Sequence, residues 1–250
     1  MNDSHTQATL SEKEFVARLH AIGRERYHHQ HPFHLLMHEG KLTRGQLQAW
    51  ALNRYAYQSH IPVKDAIILA RSDEPDFRRA WRKRIIDHDG DGSEPGGIEK
   101  WLRLVEATGL SADQAIRGEG ILPATRFAVD AYVELVRSRS MVEAVASSLT
   151  ELFSSSLIAL RIERLREHYP WLSGGLDYFQ GRISQAPEDA NFALAWVVAR
   201  ARTYPEQELA LAALRAKCDI LWAMLDALYF AYVSPGWPPP GAFRPSDELK

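Results

Sequence analysis

Histidines cluster near the start of the chain at a spacing that could hold a metal ion. Four of them are separated by three, three and four residues: His28, His31, His34 and His38. Pro32 interrupts the helix that would align them. Only one Glu-x-x-His pair, Glu25 with His28, precedes the cluster, whereas di-iron helical bundles use two such pairs and two further glutamates. The pattern therefore favours histidines at a helix end and in a surface loop over a metal site.

A fifth histidine lies in an acidic, glycine-containing segment. Residues 87–92, with the sequence DHDGDG, match the first six positions of a calcium-binding EF-hand loop. The twelfth position, which must supply a bidentate glutamate, is Ile98, so we do not expect calcium binding. His88 lies in the last turn of a predicted helix, where carbonyl groups and nearby carboxylates favour the imidazolium form. A general acid or base and a structural cap are both consistent with this position.

Several predicted helices carry a polar side chain on an otherwise apolar face. These residues are Arg54, Gln58, Lys64, Ser148, Glu151, Tyr178, Arg182 and Lys217. Each alone is typical of a solvated face or a structural ion pair. Together they predict a polar, mostly cationic pocket inside a bundle, suited to a small substrate with several carboxylates. For Lys217, which lies in an apolar stripe, spacing alone favours an ammonium that extends to the surface, because burying an unpaired charge is costly.

The elements that must position these residues are all helical. Apolar periodicity predicts about seven main helices, at roughly 11–27, 43–70, 74–88, 95–108, 123–139, 141–168 and 205–232, with shorter ones near 176–184 and 188–203. Four pairs are typical of capping boxes: Ser11 with Glu14, Thr43 with Gln46, Ser111 with Gln114, and Ser140 with Glu143. Five prolines are expected at or before first turns: Pro62, Pro75, Pro123, Pro187 and Pro205. The fold class is therefore predicted as an all-α bundle.

Composition limits the function classes. The 250 residues include 30 Lys and Arg against 32 Asp and Glu, a net charge of −2, and 46% are hydrophobic. Such a balance excludes a disordered chain and a nucleic-acid-wrapping surface. A single cysteine, Cys218, cannot form an intramolecular disulfide, which suits a reducing compartment. Because neither a signal peptide nor a long apolar run is evident, we expect a cytoplasmic protein with no membrane or nucleic-acid partner.

The chain changes character near its end. The last seventeen residues, SPGWPPPGAFRPSDELK, contain five prolines and end helical order. We therefore predict a single all-helical catalytic domain over residues 1–234 and a proline-rich tail or linker over residues 235–250.

Long strings across nearly the whole chain carry a family resemblance. In order they are RYHHQHPFHLLMHEG, NRYAYQSHIPVKDA, RIIDHDG, GGIEKWLRL, RFAVDAY, SSLTELF, HYPW and KCDILWAMLDALYFAY. They resemble the pyrroloquinoline-quinone synthase (PqqC) family. The resemblance implies a compact bundle like those of haem oxygenase and the thiaminase TenA, assembled as a homodimer. It also implies the final step of pyrroloquinoline quinone (PQQ) biosynthesis, in which a tricarboxylated quinoline-dione precursor (AHQQ) undergoes ring closure and oxidation by dioxygen, with release of hydrogen peroxide and without metal or redox cofactor.

The resemblance also implies roles for individual residues. His88 would be the general base, Tyr178 and Arg182 would lie beside dioxygen, and the catalytic pocket would be completed by Glu151 and Lys217, whose ammonium is then expected to face the pocket. The substrate's carboxylates and quinone oxygens would be held by Tyr27, His28, Arg54, Gln58, Lys64, Arg84, Tyr132, Thr150 and Arg161.

One position departs from the family pattern. Many members carry a histidine near the dioxygen site where this chain has Ile158, so a hydrogen-bond donor is missing there. We expect activity to survive, because the base and the carboxylate-binding residues are intact. Oxidation that stalls at a partly oxidised quinol would contradict this expectation.

Partners and alternative functions remain open. Some relatives are joined to a small peptide carrier, PqqD, and the proline-rich ending would suit a linker to such a partner. Two other functions are compatible with the sequence. The histidine cluster suggests a metal-dependent oxygenase on the same bundle, and Ile158 is compatible with a non-catalytic quinone carrier.

Overall fold

A computed structural model describes residues 8–245, apart from the side chains of Ser155 and Ser156. This part of the chain contains helices and no strand. The α-helices are α1 (Glu12–Arg26), α2 (Pro32–His38), α3 (Arg44–Gln58), α4 (Ile61–Ala70), α5 (Pro75–Asp89), α6 (Gly97–Ala107), α7 (Ala112–Ile116), α8 (Pro123–Ser138), α9 (Met141–Ala146), α10 (Ser155–His168), α11 (Asp177–Arg200) and α12 (Tyr204–Tyr232). Three 3₁₀ segments, His28–Gln30, Ser147–Phe153 and Pro170–Gly175, connect some of them. The predicted all-α class is confirmed.

The predicted number of about seven helices is wrong, since the described residues form twelve. The predicted helix 43–70 divides into α3 and α4 at Ser59 and His60. Both side chains donate to the carbonyl of Ala56, at 3.1 Å from Ser59 Oγ and 2.7 Å from His60 Nδ1. Pro62 has no N–H to offer the carbonyl of Gln58. Side-chain competition and a missing donor therefore end α3.

Two other boundaries differ from the prediction. The predicted helix 141–168 divides into α9, the 3₁₀ segment Ser147–Phe153 and α10. Conversely, the two short predicted helices merge into α11, with Pro187 inside it rather than at a first turn. A proline there removes one backbone hydrogen bond, to the carbonyl of Ile183, without ending the helix. The short helix α2 was not predicted, and for α7 only the start at Ser111 was predicted, from its capping pair.

Capping boxes fix several helix starts. The three pairs beginning at Ser11, Thr43 and Ser140 form the reciprocal bonds that were predicted. Ser111 instead accepts only from the amide of Asp113, so its predicted box is incomplete. A further box, Thr203 with Glu206, begins α12 and was overlooked. Each such cap contributes about 1 kcal/mol.

The centre of the bundle is α12, which packs against α1, α8, α9 and the Ser147–Phe153 segment. One apolar stripe of α12 is buried and consists of Leu211, Leu214, Cys218, Leu221, Leu225, Leu228 and Tyr232. Burying one leucine stabilises the fold by about 1.5–3 kcal/mol. A helix buried on two faces gives the bundle a rigid axis from which polar side chains can be held in place.

The proline-rich segment packs back on the bundle over residues 235–245. The amide of Phe243 donates to the carbonyl of Gly120 at 2.8 Å, and Tyr232 Oη donates to the carbonyl of Phe243 at 2.9 Å. The described residues exclude residues 1–7, part of the segment predicted to lack a signal peptide, and residues 246–250 of the predicted tail. The division into a domain and a tail at residue 234 stays a prediction.

No single helix within residues 8–245 is both long and apolar enough to cross a bilayer. One bent pair of segments, Met141–Phe153 and Leu157–His168, reaches the required length and composition together, with a bend of 49°.

Candidate active site

A cavity of about 100 Å³ lies between the central helices. Every residue of the predicted site except Lys217 lines it: Tyr27, His28, Arg54, Gln58, Lys64, Arg84, His88, Tyr132, Thr150, Glu151, Arg161, Tyr178 and Arg182. These residues come from α3, α4, α5, α8, α10, α11 and two 3₁₀ segments, with Tyr27 in the turn after α1. The bundle thus brings together side chains that lie up to 155 positions apart, from Tyr27 to Arg182.

Lys217 lies directly behind the cavity wall. It is fully buried, so the prediction from spacing that it extends to the surface is wrong. Its Nζ donates to Tyr57 Oη at 2.6 Å and lies 3.3 Å from the centre of the Tyr132 ring. Burial, together with the charges of Arg54 and Lys64, lowers its pKa well below the ordinary value. The ammonium of Lys217 therefore contacts two cavity-lining tyrosines and does not itself line the cavity, contrary to the expectation from the family resemblance.

One end of the cavity, here called the paired end, holds cations that each have a carboxylate partner. Its residues are Lys64, Asp65, Arg84, Glu151, Arg182 and Asp189. Glu151 Oε1 lies 2.7 Å from Arg84 Nη2 and 3.2 Å from Arg182 Nη2. Burial would raise the pKa of Glu151, but Arg84 and Arg182 hold it below the ordinary value. When all six side chains are ionised, the charges of the three cations and the three carboxylates sum to zero.

Two of these carboxylates were missed by the sequence analysis. Asp65 is fully buried and lies 2.6 Å from the ammonium of Lys64, its neighbour in the chain. Asp189 lies 3.3 Å from Arg182, seven residues earlier on α11. That spacing places two side chains on one helix face. The sequence analysis predicted a break at Pro187, so Arg182 and Asp189 were assigned to different helices. Burial raises the pKa of Asp189 to about 6, against the opposing charge of Arg84.

His88 lies at the paired end, in the last turn of α5. Its Nδ1 is 2.9 Å from the carbonyl of Arg84. Because a carbonyl only accepts, Nδ1 carries the proton and the neutral ring keeps its lone pair on Nε2. Burial, then the charge of Arg182, lowers the pKa of His88 to about 4. The predicted preference for imidazolium is wrong, since burial outweighs the nearby carboxylates. The neutral ring has a free lone pair at neutral pH, although its low pKa makes it a weak base.

The acidic loop after His88 is closed by its own side chains. Asp91 Oδ1 accepts from the amide of Ser93 at 2.9 Å and from the amide of Glu94 at 3.0 Å. Gly90, at φ +82°, makes the turn, and a Cβ there would lie 2.7 Å from the carbonyl oxygen of Glu94. Among the described residues no group of three or more His, Cys, Asp or Glu side chains has a geometry that could hold a metal ion.

A second group of cavity-lining residues, here called the unpaired end, is formed by Tyr27, His28, Arg54 and Arg161, with His34 in contact with Arg161. Within residues 8–245 no carboxylate lies within 4.0 Å of either arginine. The Arg54 guanidinium lies over the Tyr57 ring, 4.2 Å from its centre. Burial, then Arg54, lowers the pKa of Arg161 to about 10.

Three of the four clustered histidines are buried, so their predicted place in a surface loop is wrong, whereas His38 is half-buried. His28, His31 and His34 are 4%, 1% and 3% exposed. His31 Nδ1 accepts from the amide of Phe33 at 3.0 Å, which caps α2, and its Nε2 donates to Asp226 at 3.0 Å. The helix end was predicted correctly, whereas burial by α12 was not visible in the local spacing.

The region implied for dioxygen is partly apolar. Tyr178 Oη donates to Gln58 Oε1 at 3.0 Å, and the Tyr178 ring meets the edge of Trp101 at 4.9 Å between ring centres. Ile158 also lines the cavity and packs against the core. The tyrosine is therefore fixed by an amide and an aromatic ring, without the imidazole that the family pattern suggests.

A sequence profile of the TENA/THI-4/PQQC family matches residues 16–227. The chain belongs to this family. It is 53% identical over 241 residues to "Pyrroloquinoline-quinone synthase" of Granulibacter bethesdensis, covering 96% of this chain and 94% of the relative. It is 52% identical over 244 residues to "Bifunctional coenzyme PQQ synthesis protein C/D" of Methylorubrum extorquens, covering 97% of this chain and 66% of that longer protein.

The fold of this family member is also that of known structures. A domain with a haem oxygenase-like fold from Shewanella denitrificans superposes with a TM-score of 0.70 at 13% identity, covering 93% of this chain and 96% of the other. The expected resemblance to haem oxygenase is confirmed for the fold, which at this identity carries no information about the reaction.

Proposed function

We propose that this chain is a pyrroloquinoline-quinone synthase that completes PQQ biosynthesis by closing a ring of the tricarboxylated AHQQ precursor and oxidising it with dioxygen. The observation that carries the proposal is a buried cavity with a neutral histidine base at one end and carboxylate-free arginines at the other. The identity of 53% to a synthase over nearly the whole chain supports the same reaction.

Substrate binding follows from the charges of the unpaired end. Arg54 and Arg161 are held near the cavity without a carboxylate partner, so a substrate carboxylate can supply the missing anion. Bidentate contacts from a guanidinium to a carboxylate are strong and fix orientation. Lys64 and Arg84 already contact Asp65 and Glu151, so further substrate carboxylates there would share those partners.

Proton removal is assigned to His88. Its Nε2 lone pair is available at neutral pH, and its Nδ1 proton is fixed on the Arg84 carbonyl. A positioned general base of this kind accelerates proton transfer by about 10²–10⁴-fold. Each two-electron oxidation of the bound quinol then gives two electrons and two protons to dioxygen, which leaves as hydrogen peroxide. Arg182 is assigned to stabilise the developing peroxide anion by donating hydrogen bonds, and Tyr178 does so once its hydroxyl turns from Gln58 Oε1 to the peroxide.

The cavity must widen to admit the precursor. Its volume of about 100 Å³ is smaller than the roughly 300–1,000 Å³ typical of pockets for such ligands. We therefore expect wall residues to move on binding. Loss of water during this movement would strengthen the charged contacts.

Assembly belongs to the same proposal. A homodimer is implied by the family resemblance, and a PqqD-type carrier by the name of the C/D relative, of which this chain covers 66%. Light scattering on the purified chain tests the dimer directly, and titration with the carrier tests the second partner. The cytoplasmic location stays a prediction.

The experiment is a time course on metal-depleted protein with the precursor, first without and then with air. We expect quinone and hydrogen peroxide to appear together when air is admitted, at a rate that chelators do not change. Activity that returns only with added metal would indicate a metal-dependent oxygenase instead. Tight binding without turnover would indicate a quinone carrier.

A further inference from the structure

Arg161, at the unpaired end, is held by an imidazole instead of a carboxylate. Its Nη2 lies 3.2 Å from His34 Nδ1. Its Nε is buried and has no acceptor among the described residues. By contrast, the guanidinium of Arg84 at the paired end lies 2.7 Å from Glu151. The two arginines are therefore positioned by partners of different charge.

His34 Nδ1 lies near both a hydrogen-bond donor and a hydrogen-bond acceptor. Besides Arg161 Nη2, this nitrogen lies 3.0 Å from the carbonyl oxygen of His28 and 3.2 Å from His28 Nδ1. A guanidinium only donates and a carbonyl only accepts, so one nitrogen cannot bond to both at once. Burial and the charge of Arg161 lower the pKa of His34 well below the ordinary value, which keeps the ring neutral.

Two tautomers of neutral His34 are possible. With the proton on Nε2, Nδ1 accepts from Arg161 and can also accept from the ring of His28. With the proton on Nδ1, it donates to the carbonyl of His28 and leaves Arg161 without an acceptor. Arg161 is half-buried at the cavity wall, and a charged donor that loses its protein acceptor there costs more free energy than an unpaired carbonyl. The ligand-free site therefore favours the Nε2-protonated form.

We propose that His34 is a positioning residue for substrate binding, because its neutral ring fixes the guanidinium of Arg161 at the cavity wall without cancelling its charge. A carboxylate in the same place would fix the guanidinium equally well but would neutralise it. The full positive charge then remains for a carboxylate of the substrate. This inference rests on the proposed function, in which the ligand carries three carboxylates.

Three substitutions of His34 separate positioning from charge, with the dissociation constant of PQQ measured by calorimetry. His34→Asn keeps an uncharged acceptor near the position of Nδ1, and we expect binding within about threefold of the unsubstituted chain. His34→Leu removes the acceptor and should weaken binding about tenfold. His34→Asp adds a competing negative charge and should weaken it at least about tenfold. In all three, kcat at saturating precursor should change by less than about threefold, because the reacting groups are untouched.

His38→Asn is the matched control. Its ring stacks on His34 with 6.3 Å between centres but makes no hydrogen bond to Arg161. PQQ binding should therefore be unchanged. Circular dichroism and thermal unfolding of each variant show whether it is folded. Equal binding by the folded His34→Asn, His34→Leu and His34→Asp variants would overturn the proposal, as would a change confined to kcat.

A ligand-free measurement separates failure of this inference from failure of the proposed function. If the unsubstituted chain does not bind PQQ, the proposed function is wrong. The ¹⁵N chemical shifts of the His34 ring still report its tautomer in the empty protein. A proton on Nε2 at neutral pH supports the contact with Arg161, whereas a proton on Nδ1 overturns it.

Discussion

The two ends of the cavity use the same residue type in opposite ways. At the paired end, Arg84 and Arg182 share Glu151 and lie near Asp189, so their charges are balanced before any ligand arrives. At the unpaired end, Arg54 and Arg161 have aromatic and imidazole neighbours but no carboxylate within 4.0 Å in residues 8–245. The role of an arginine in this cavity therefore depends on whether the protein itself supplies its anion.

The difference has an energetic consequence. Removing one member of a buried ion pair leaves a charge without a partner and destabilises the fold strongly. Removing a buried cation that has no anionic partner takes away a desolvation cost instead. Substitutions at the paired end should therefore mainly lower the free energy of unfolding. Substitutions at the unpaired end should mainly raise the dissociation constant of the ligand.

The largest effect on the reaction rate is expected for His88, which lies at the paired end and is the proposed general base. His88→Asn can retain a donor to the Arg84 carbonyl while removing the base, so single-turnover oxidation should slow about 10³-fold. The dissociation constant of PQQ should stay within about threefold, because the arginines are unchanged. Normal turnover by this variant would contradict the assignment of the base.

Arg84→Leu tests the stability of the paired end. It leaves Glu151 and Asp65 facing an apolar side chain, so urea unfolding should show a loss of about 3–5 kcal/mol. Arg161→Leu is the matched control, and its free energy of unfolding should change by less than about 1 kcal/mol, because no ion pair is broken. Equal losses for the two variants would remove the distinction between the ends.

Arg161→Gln and Arg54→Gln test binding at the unpaired end. Each removes one positive charge, so the dissociation constant of PQQ should rise at least about tenfold, which corresponds to about 1.4 kcal/mol. The decrease in kcat at saturating precursor should be smaller than the loss of binding. An unchanged dissociation constant, measured by calorimetry, would show that the carboxylates bind elsewhere.

The protonation of His88 predicts a pH dependence of stability. Its pKa of about 4 in the folded chain lies below the ordinary 6.5. Between pH 4 and 6.5 the unfolded chain binds a proton at His88 that the folded chain does not bind. The contribution of His88 to the free energy of unfolding is therefore complete above pH 6.5 and is lost as the pH falls towards 4. The slope is about 1.4 kcal/mol per pH unit. The dependence between pH 5 and 6.5 should therefore be shallower for His88→Asn than for the unsubstituted chain, and parallel curves would contradict the burial of a neutral ring.

The smallest effect is expected at Ile158. Ile158→His would introduce the imidazole that the family pattern suggests beside Tyr178. Because Arg182 and a reoriented Tyr178 hydroxyl are proposed to donate to the peroxide without an imidazole, the apparent kcat/KM for dioxygen should change by less than about tenfold. An increase of a hundredfold or more would show that the unsubstituted site lacks an essential donor.

Local signals predicted much of the fold. Capping boxes at Ser11, Thr43 and Ser140 depend on residues three apart, so the sequence alone could locate these helix starts. The division at Ser59 and His60 depends on which side chains reach the carbonyl of Ala56. Hydrophobic periodicity does not contain that information, so it overestimated the length of the predicted helix 43–70.

The site was predicted unevenly. Motif resemblance indicated the cavity-lining residues, but neither resemblance nor spacing indicated the carboxylate partners Asp65 and Asp189. The preferred charge of His88 was also wrong in the sequence analysis, because burial by distant elements outweighs neighbours in the chain. Likewise, the role of His34 depends on Arg161, 127 positions away.

The most direct test of the two-ended cavity is a crystal structure of the chain with PQQ bound. We predict a ligand carboxylate within about 3 Å of the guanidinium of Arg54 or Arg161, with Arg84 and Glu151 still in contact. A ligand that separates Arg84 from Glu151 and leaves the unpaired end empty would contradict the account.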